Sequence, residues 1–259
     1  MKKRIVISIG LAFVLLTSCV SREKIAYYQD VDTSTISNKK FVTQITSDDL
    51  LMIIVSAQDP IAAQPFNLTT NLSVDPTNQA AGGQVQQQLY LVDQEGFIDF
   101  PVLGRLEVGN KSKEQIVQDL QIKISKYVKN PIVNLRIMNY KVSVQGEVRN
   151  PGTHRINSER ITLPEALSLS GDLTVYGKRE NILVLREENG KLTPHRVDLT
   201  KSDFINSDFY YLRQNDIVYV EPNKVAVNSS AVGPNVSIYM TAASLLLSTV
   251  AIILSNTKK

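Results

Sequence analysis

The chain has 259 residues, of which 43% are hydrophobic and 20% charged, with 12 Gly and 10 Pro. This composition is typical of a globular protein with a buried core and excludes a disordered or collagen-like chain. Lys and Arg number 28 against 25 Asp and Glu. Because three of these cations stand at positions 2–4, the rest of the chain is neutral and lacks the clustered cations of nucleic-acid binding proteins. One Cys and two His exclude a zinc ribbon, an iron–sulfur cluster held by the chain's own thiolates and a disulfide scaffold.

Residues 1–18 predict a lipoprotein signal peptide. The charged start precedes an apolar run at 5–16, which has the length of a secretory signal and is too short to cross a bilayer. Leu-Thr-Ser-Cys at 16–19 resembles the bacterial lipobox, so Cys19 is the predicted lipidation site, with an ordinary buried Cys as the alternative. Val20 rather than an acidic residue follows it, which resembles the sorting pattern for the outer membrane with the body in the periplasm.

Residues 19–44 predict a tether, and residues 45–139 predict the first folded domain. The tether is polar and shows no sustained periodicity. In the domain, the apolar run 50–55 predicts a strand, and the segments 89–92 and 97–100 predict a hairpin around Asp-Gln-Glu-Gly, with a simple turn at the Gly as the alternative. The first domain therefore begins with strands.

A helix and a further strand complete this domain. Ser112 and Gln115 form a capping-box pattern that predicts the start of a helix, which Asn130-Pro131 should stop. The run 132–137 predicts another strand. The predicted buried stripe of the helix is Ile116, Leu120, Ile124, Tyr127 and Val128.

The stretch 56–88 predicts a polar insertion in the first domain. It holds only two charged residues, and loops of this length inside compact domains are uncommon and often functional. Asn67, Asn71 and the Gln-rich run from Gln84 to Gln88 are candidates for contacts with another molecule.

Residues 140–223 predict a β-grasp-like sheet packed on one helix. Thr162 and Glu165 form a second capping box, and Gly171 is placed to end the short helix that it opens. The fold class predicted for the whole chain is α+β. The predicted strands of this domain are 140–148, 153–156, 182–186, 192–197 and 216–220.

After a linker at 224–235, the segment 236–255 predicts a C-terminal transmembrane helix. No charged residue occurs from 225 to 257, and a helix over 237–255 would be roughly 28 Å long, close to the hydrocarbon thickness of a bilayer. Small and hydroxylated residues fall on one face of it. This stripe is typical of packing between membrane helices, but also of a ring of helices whose polar face meets water. Its members are Ser237, Thr241, Ser244, Ser248, Ala251 and Ser255.

No pattern in the sequence requires catalysis, a cofactor or a metal. His154 and His195 are distant in sequence, have no nearby Cys and are expected on the surface of strands. Asp48 and Asp49 are expected to be solvated turn charges, because adjacent strand residues point in different directions. We therefore predict that the chain is not an enzyme.

Two motifs resemble a known family. The run 96–105, with the capped helix behind it, resembles the first periplasmic domain of the outer-membrane polysaccharide export family. The run 144–152, followed by Leu-Pro-Glu-Ala-Leu at 163–167, resembles the soluble-ligand-binding β-grasp (SLBB) domain that comes next in that family. The residues that carry the resemblance are Gly96, Asp99, Pro101, Gly104, Gly146, Pro151, Gly152 and Gly171.

The resemblance covers residues 45–223 and implies an outer-membrane lipoprotein that exports capsular polysaccharide or exopolysaccharide. In that family, identical subunits form a ring, and their terminal helices make an α-helical barrel through the outer membrane. An inner-membrane polysaccharide copolymerase is the implied partner, and the pore-lining role of the stripe is favoured. The chain departs from larger members in having one β-grasp domain where they have two, and its terminal helix is more apolar.

Two alternative functions stay open from the sequence. A non-conducting structural or adaptor lipoprotein would use the terminal helix only as an anchor. A periplasmic ligand-binding module would act through the β-grasp domain, and the terminal helix would be incidental.

Overall fold

The computed structural model describes residues 22–33, 41–71, 85–188, 190–231 and 234–256. These residues form two domains of mixed helix and strand, followed by two helices, so the predicted α+β class is confirmed. The predicted signal peptide and Cys19 lie outside the described residues.

The first domain is built on a three-stranded antiparallel sheet. In it, β1 (Leu50–Ser56) lies between β4 (Tyr90–Leu91) and β7 (Ile132–Ile137). Alternate side chains of β1 point inward, as the two-residue period of a strand requires. These side chains pack with the apolar face of α2 (Lys113–Ile124) in one core, in which Leu51 is fully buried.

The predicted capping box at the start of α2 forms. The Ser112 hydroxyl accepts a hydrogen bond from the Gln115 amide at 3.2 Å, and the Ser112 amide donates to Gln115 Oε1 at 2.8 Å. The helix ends at Ile124, earlier than predicted. As a result Tyr127 is 62% exposed instead of belonging to the buried stripe, and its ring lies 5.9 Å from that of Phe66.

The predicted hairpin between segments 89–92 and 97–100 is wrong. β4 pairs with β1, whereas β5 (Phe97–Phe100) pairs with β6 (Gly104–Glu107), a strand that the sequence analysis did not predict. A turn does form at Asp93, whose amide donates to the Phe97 carbonyl at 2.9 Å. It connects two different sheets instead of two paired strands.

The described part of the predicted insertion contains regular structure. A short helix α1 (Pro60–Ala63) continues into a 3₁₀ turn (Gln64–Phe66), whose Phe66 is buried in the core of the first domain. Beyond it, β2 (Thr69–Asn71) pairs antiparallel with β3 (Val85–Gln87). The insertion is thus a folded extension of this domain in the residues that the structure describes.

The second domain contains a five-stranded mixed sheet in the order β12–β11–β14–β8–β9. β8 and β14 are parallel, and the other neighbours are antiparallel. All five predicted strands form, with shifted ends. Their bounds are Lys141–Gly146 (β8), Gly152–Arg155 (β9), Gly177–Glu188 (β11), Lys191–Val197 (β12) and Ile217–Pro222 (β14).

One helix, α3 (Leu163–Leu169), packs its buried side chains into the core of this sheet. The second predicted capping box forms: the Thr162 hydroxyl accepts from the Glu165 amide at 3.3 Å, and the Thr162 amide donates to Glu165 Oε2 at 2.7 Å. The two-stranded pair of β10 (Ile161–Thr162) and β13 (Tyr211–Leu212) lies at its start.

The two domains meet at Asn139. Its Oδ1 accepts from the Leu50 amide at 2.9 Å, and its Nδ2 donates to the Asp48 carbonyl at 2.8 Å, both in the first domain. From the second domain, Gln214 Nε2 donates to the Asn139 carbonyl at 3.0 Å, and Gln214 Oε1 accepts from the Lys141 amide at 2.8 Å. One amide side chain from each domain therefore ties the junction to the backbone.

Residues 22–33, within the predicted tether, pack on the second domain. The Tyr28 amide donates to the Leu199 carbonyl at 3.2 Å. The Tyr28 ring stacks on Phe204 with a centroid distance of 5.8 Å. This part of the predicted tether is therefore packed against the second domain. We call residues 22–33 the strap.

Two helices follow the second domain, α4 (Lys224–Ala231) and α5 (Pro234–Asn256). Every side chain of α5 whose exposure is described is exposed. Within the described residues, none of the helices combines the length and the apolar content that crossing a membrane requires. The helix predicted for 236–255 therefore forms, but its predicted transmembrane character is not supported. Hydroxyl groups, such as those of Ser244 and Ser248, interrupt its apolar sequence.

Candidate functional site

Gly96 of the first motif holds the base of the β5–β6 hairpin together. Its φ is +85°, and its carbonyl accepts hydrogen bonds from the Val108 and Gly109 amides, both at 2.8 Å. A Cβ on Gly109 would lie 2.7 Å from the Gly96 Cα, so this crossing requires glycine. The sequence analysis missed Gly109 because a single glycine after a strand has many structural explanations.

An ionic cluster stiffens the turn that begins this hairpin. The Arg105 guanidinium lies 2.8 Å from the Asp93 carboxylate, contacts Glu95 and covers the Phe97 ring at 4.4 Å. Hydrogen bonds from the Phe97 amide and from Arg105 hold the pKa of Asp93 below its ordinary value. Because these groups are exposed, the cluster fixes the geometry of the turn more than it stabilises the domain.

The hairpin tip combines backbone strain with an exposed apolar side chain. Val102 has a φ of +66°, a left-handed conformation that costs an L-residue roughly 1–2 kcal/mol, and it is 54% exposed. Gly104 has a φ of +75° with open space around it. Pro101 precedes Val102, and Asp99 is exposed on β5. The motif residues therefore build a hairpin tip with an exposed apolar side chain.

The second motif shapes the start of the SLBB-like sheet. Gly146 has a φ of +87°, and a Cβ there would lie 2.1 Å from the Val220 carbonyl oxygen of β14. Gly171 has a φ of +74°, and a Cβ there would meet the turn before β9 at 3.0 Å. Pro151 lies in that turn, Gly152 begins β9, and both residues are exposed. The structure therefore brings Gly171 to this turn and leaves Pro151 and Gly152 free of close packing.

A buried ion pair in the second domain was missed by the sequence analysis. Arg186 Nη2 lies 2.6 Å from Asp216 Oδ2, and both side chains are only 1% exposed. The guanidinium also donates to the carbonyls of Asp208 and Tyr211 at 3.0 and 3.1 Å and covers the Phe209 ring at 4.6 Å. Its partners are all within the domain, so it organises the segment 208–216. In the sequence, neither residue differs from an ordinary charge beside a strand.

The two histidines do not form a joint site. They lie on β9 and β12, the opposite edges of the five-stranded sheet. Both are half-buried, more than predicted: His154 Nε2 is 2.8 Å from the Ser170 hydroxyl, and the His195 ring stacks on Phe209 at 3.9 Å. The described residues contain no group of His, Cys, Asp and Glu that could hold a metal ion.

Asp49 is buried, whereas the sequence predicts a solvated charge. Asp48 adopts a φ of +66°, and the turn leaves the Asp49 side chain 0% exposed. Asp49 Oδ2 accepts from the Thr46 amide at 2.8 Å, while Oδ1 has no hydrogen-bond partner in the described part of the chain. Burial raises the pKa of Asp49 to about 6.

Asn67 has a structural role that conflicts with its predicted contact role. Its Oδ1 accepts from the Val55 amide at 2.9 Å, and its Nδ2 donates to the carbonyls of Val55 and Ala63 at 2.8 and 3.2 Å. The side chain is therefore committed to the fold. Asn71 lies at the end of β2, and Gln84 is outside the described residues.

The described part of the predicted stripe on α5 consists of Thr241, Ser244 and Ser248, all exposed. Ser244 Oγ donates to the Thr241 carbonyl, and Ser248 Oγ donates to the Leu245 carbonyl, both at 2.8 Å. These hydroxyls satisfy their donors on their own helix and keep acceptor capacity toward solvent or a ligand. The other predicted members belong to α5, but their side chains are outside the description: Ser237, Ala251 and Ser255.

Two family models match the chain in the order of its two domains. The polysaccharide biosynthesis/export protein family matches residues 39–138, and the SLBB domain matches residues 140–220. The chain is therefore similar to polysaccharide export proteins. It carries one SLBB domain, and the predicted resemblance is confirmed. The proteins of this family are transport proteins, which agrees with the prediction that the chain is not an enzyme.

Two curated relatives carry the same name in different organisms. The EPS I polysaccharide export outer membrane protein EpsA of Ralstonia nicotianae is 30% identical over 219 residues, which is 81% of this chain. The protein of that name from Ralstonia solanacearum is 28% identical over 214 residues, which is 80% of this chain. The aligned part covers 56% of each relative, so the chain spans about half the length of the curated relatives it matches.

Proposed function

We propose that the chain is a subunit of an oligomeric outer-membrane conduit for the export of capsular polysaccharide or exopolysaccharide. The order of an export domain and one SLBB domain, together with the names of the relatives, supports the polysaccharide as cargo. In the proposal, residues 1–18 are removed and acyl chains on Cys19 anchor the body on its periplasmic side. Each buried CH₂ of an acyl chain contributes about 0.8 kcal/mol, so several chains on one Cys make a lasting anchor.

The observation that carries the proposal is the exposure of the described side chains of helix α5. Its 23 residues follow the second domain, and its large aliphatic side chains are 40–72% exposed. A helix of this composition is not expected to remain uncovered in water. Several copies side by side would turn the hydroxyl stripe toward a central aqueous path and the aliphatic side chains toward lipid. The outward set includes Leu246 and Ile253, which lie on the face opposite the stripe.

The proposed mechanism is passive. A hydrated polymer moves through a wide path only when its contacts with the wall are weak and repeated, because tight sites would stall it. Hydroxyl oxygens such as those of Ser244 and Ser248 can supply such contacts. The energy for transport would come from an inner-membrane polysaccharide copolymerase, which would meet the periplasmic domains.

The test replaces Ser244 and Ser248 by Leu in one variant and Thr249 by Leu in a control. Thr249 donates to the Leu246 carbonyl at 2.8 Å, the same local bond as the two serines make, but it lies off the stripe. We expect the double variant to assemble into rings and to lose surface polysaccharide, while the control exports normally. Surface polysaccharide is measured in cells that lack the native protein, and assembly is imaged in mild detergent.

Two outcomes contradict the conduit. Strictly monomeric particles in mild detergent would remove its central requirement. Normal export by the double variant would favour an adaptor lipoprotein, in which α5 anchors or pairs without lining a path. The control separates a loss of polar lining from a general effect of adding leucine to this helix.

A further inference from the structure

An apolar surface lies at the end of the second domain from which α4 and α5 emerge. Val175 and Tyr176 are 67% and 45% exposed in the loop before β11, and Val225 and Val227 are 62% and 53% exposed on α4. The Asn223 amide donates to the Tyr176 carbonyl at 2.7 Å, which joins the loop to the start of the helix. We call these four residues the apolar end. Val225 and Val227 are two positions apart and face different sides of α4, so the helix is apolar and exposed on both sides where it leaves the domain. Together with the loop, this is more exposed apolar area than the scattered side chains of an ordinary surface.

The strap formed by residues 22–33 leads to the same end. Asp30 accepts from the Ser202 amide at 2.6 Å, and further toward the N-terminus the Tyr27 hydroxyl donates to Asp172 at 2.7 Å. Arg179 lies over the Tyr27 ring at 5.5 Å and donates to the Gly177 carbonyl at 3.0 Å, one residue from Tyr176. Burial and the bond to Asp172 raise the pKa of Tyr27, so the phenol stays a donor.

Chain length then limits where the lipid anchor of the proposed function can be. Cys19 precedes Arg22 by three residues, which span at most about 11 Å when fully extended. Arg22 begins the 3₁₀ turn that lies beside β11. An acylated Cys19 would therefore emerge from the second domain, close to the apolar end, instead of from a long flexible tether.

The charges around the apolar end are few, and one carboxylate offsets part of them. Glu221 lies 3.0 Å from the Lys178 ammonium and 2.7 Å from the Arg196 guanidinium. Hydrogen bonds from Arg196 and Lys178 lower the pKa of Glu221 to about 2, so Glu221 stays ionised at neutral pH and offsets one of the two cations. Lys224 has no ion pair within the described residues, and a single cation contributes only weak attraction to an anionic membrane. Contact with a membrane would therefore depend on apolar burial more than on lipid charge.

We propose that the apolar end rests on the lipid surface, with Tyr176 at the boundary between headgroups and acyl chains. Tyrosine suits this position because it joins an apolar ring to a polar hydroxyl. The inference rests on the proposed function only in placing the chain on a membrane. It adds a membrane contact made by the folded domain itself, in addition to the acyl anchor and α5. This contact would fix the orientation of the second domain relative to the bilayer.

The test uses the absence of Trp from the chain. Tyr176→Trp in the full chain creates a sole indole at the apolar end, and Tyr127→Trp, at a 62% exposed site of the first domain, is the matched control. Both proteins are reconstituted in phosphatidylcholine vesicles, with and without lipid brominated near the top of the acyl chains. We expect blue-shifted emission and at least about twofold stronger quenching at position 176, because interfacial groups sit roughly 5–10 Å into the boundary.

Two results overturn the inference. Solvent-like emission at position 176, with no more quenching than at position 127, places the apolar end in water. Blue-shifted emission without quenching by brominated lipid means that a second copy or another protein covers it. Val175→Trp repeats the measurement should Tyr176→Trp be unstable. Ring imaging and surface polysaccharide are read separately, so a failed membrane contact is distinguishable from a failed conduit.

Discussion

Replacing Gly146 by Ala should weaken the pairing of β8 with β14 and destabilise the second domain, whereas Gly152→Ala should have little effect. Gly146 has a φ of +87°, and its added Cβ would lie 2.1 Å from the Val220 carbonyl oxygen and 3.0 Å from the Tyr219 ring. Gly152 has no atom within 4 Å of its added Cβ. Both residues belong to the same family motif, only six positions apart, and the variants change the sequence by the same single methyl group.

The magnitude follows from two effects. A left-handed backbone costs an L-residue roughly 1–2 kcal/mol. The clash also requires β8 to move away from β14, which breaks the hydrogen bond of 2.9 Å from the Glu147 amide to the Val220 carbonyl and loosens packing that is worth roughly 1–3 kcal/mol. We expect Gly146→Ala to destabilise the second domain by about 3–5 kcal/mol. Gly152→Ala should stay within about 1 kcal/mol of the native protein.

Hydrogen exchange measured by mass spectrometry separates the two domains in one experiment. Each 1.4 kcal/mol of lost opening free energy speeds exchange about tenfold. Amides of β8 and β14 in Gly146→Ala should therefore exchange between about 100-fold and several thousand-fold faster. The first domain, with its own core, is the internal reference. Equal protection of β8 in the two variants would refute the close-approach argument.

Two further predictions concern buried charges that the sequence analysis did not expect. The pKa of Asp49 is about 6 in the folded protein against about 3.9 in an unfolded chain, so the folded state binds more protons between these values. Native protein should therefore lose up to about 3 kcal/mol of stability as pH rises from about 4 to 6. Asp49→Asn should lack this slope in urea titrations, and an unchanged slope would contradict the assignment. Asp216→Ala should destabilise the second domain by roughly 3–5 kcal/mol, because it leaves the Arg186 guanidinium buried without its counter-ion. The double change of Asp216→Leu with Arg186→Met should recover most of this loss in thermal melts. A double variant less stable than Asp216→Ala would show that the uncompensated charge is not the cause.

Local sequence predicted those features that depend on neighbouring residues alone. Both capping boxes form as predicted at Ser112 and Thr162, because the hydrogen bonds join residues three positions apart. The alternation of β1 and the five strands of the second domain follow from the two-residue period of strands that bury one face. The motif residues also indicated the family by resemblance, and most of the motif glycines adopt a positive φ that other residues rarely adopt.

Tertiary structure decided whatever depends on residues distant in sequence. The partner of β5 is β6 instead of β4, a choice that local propensity does not encode because it depends on how the two sheets close. Burial of Asp49, the pairing of Arg186 with Asp216 and the docking of Tyr27 on Asp172 join groups that the sequence shows only as ordinary polar residues. Their energies arise from exclusion of water, which exists only after the surrounding elements have packed.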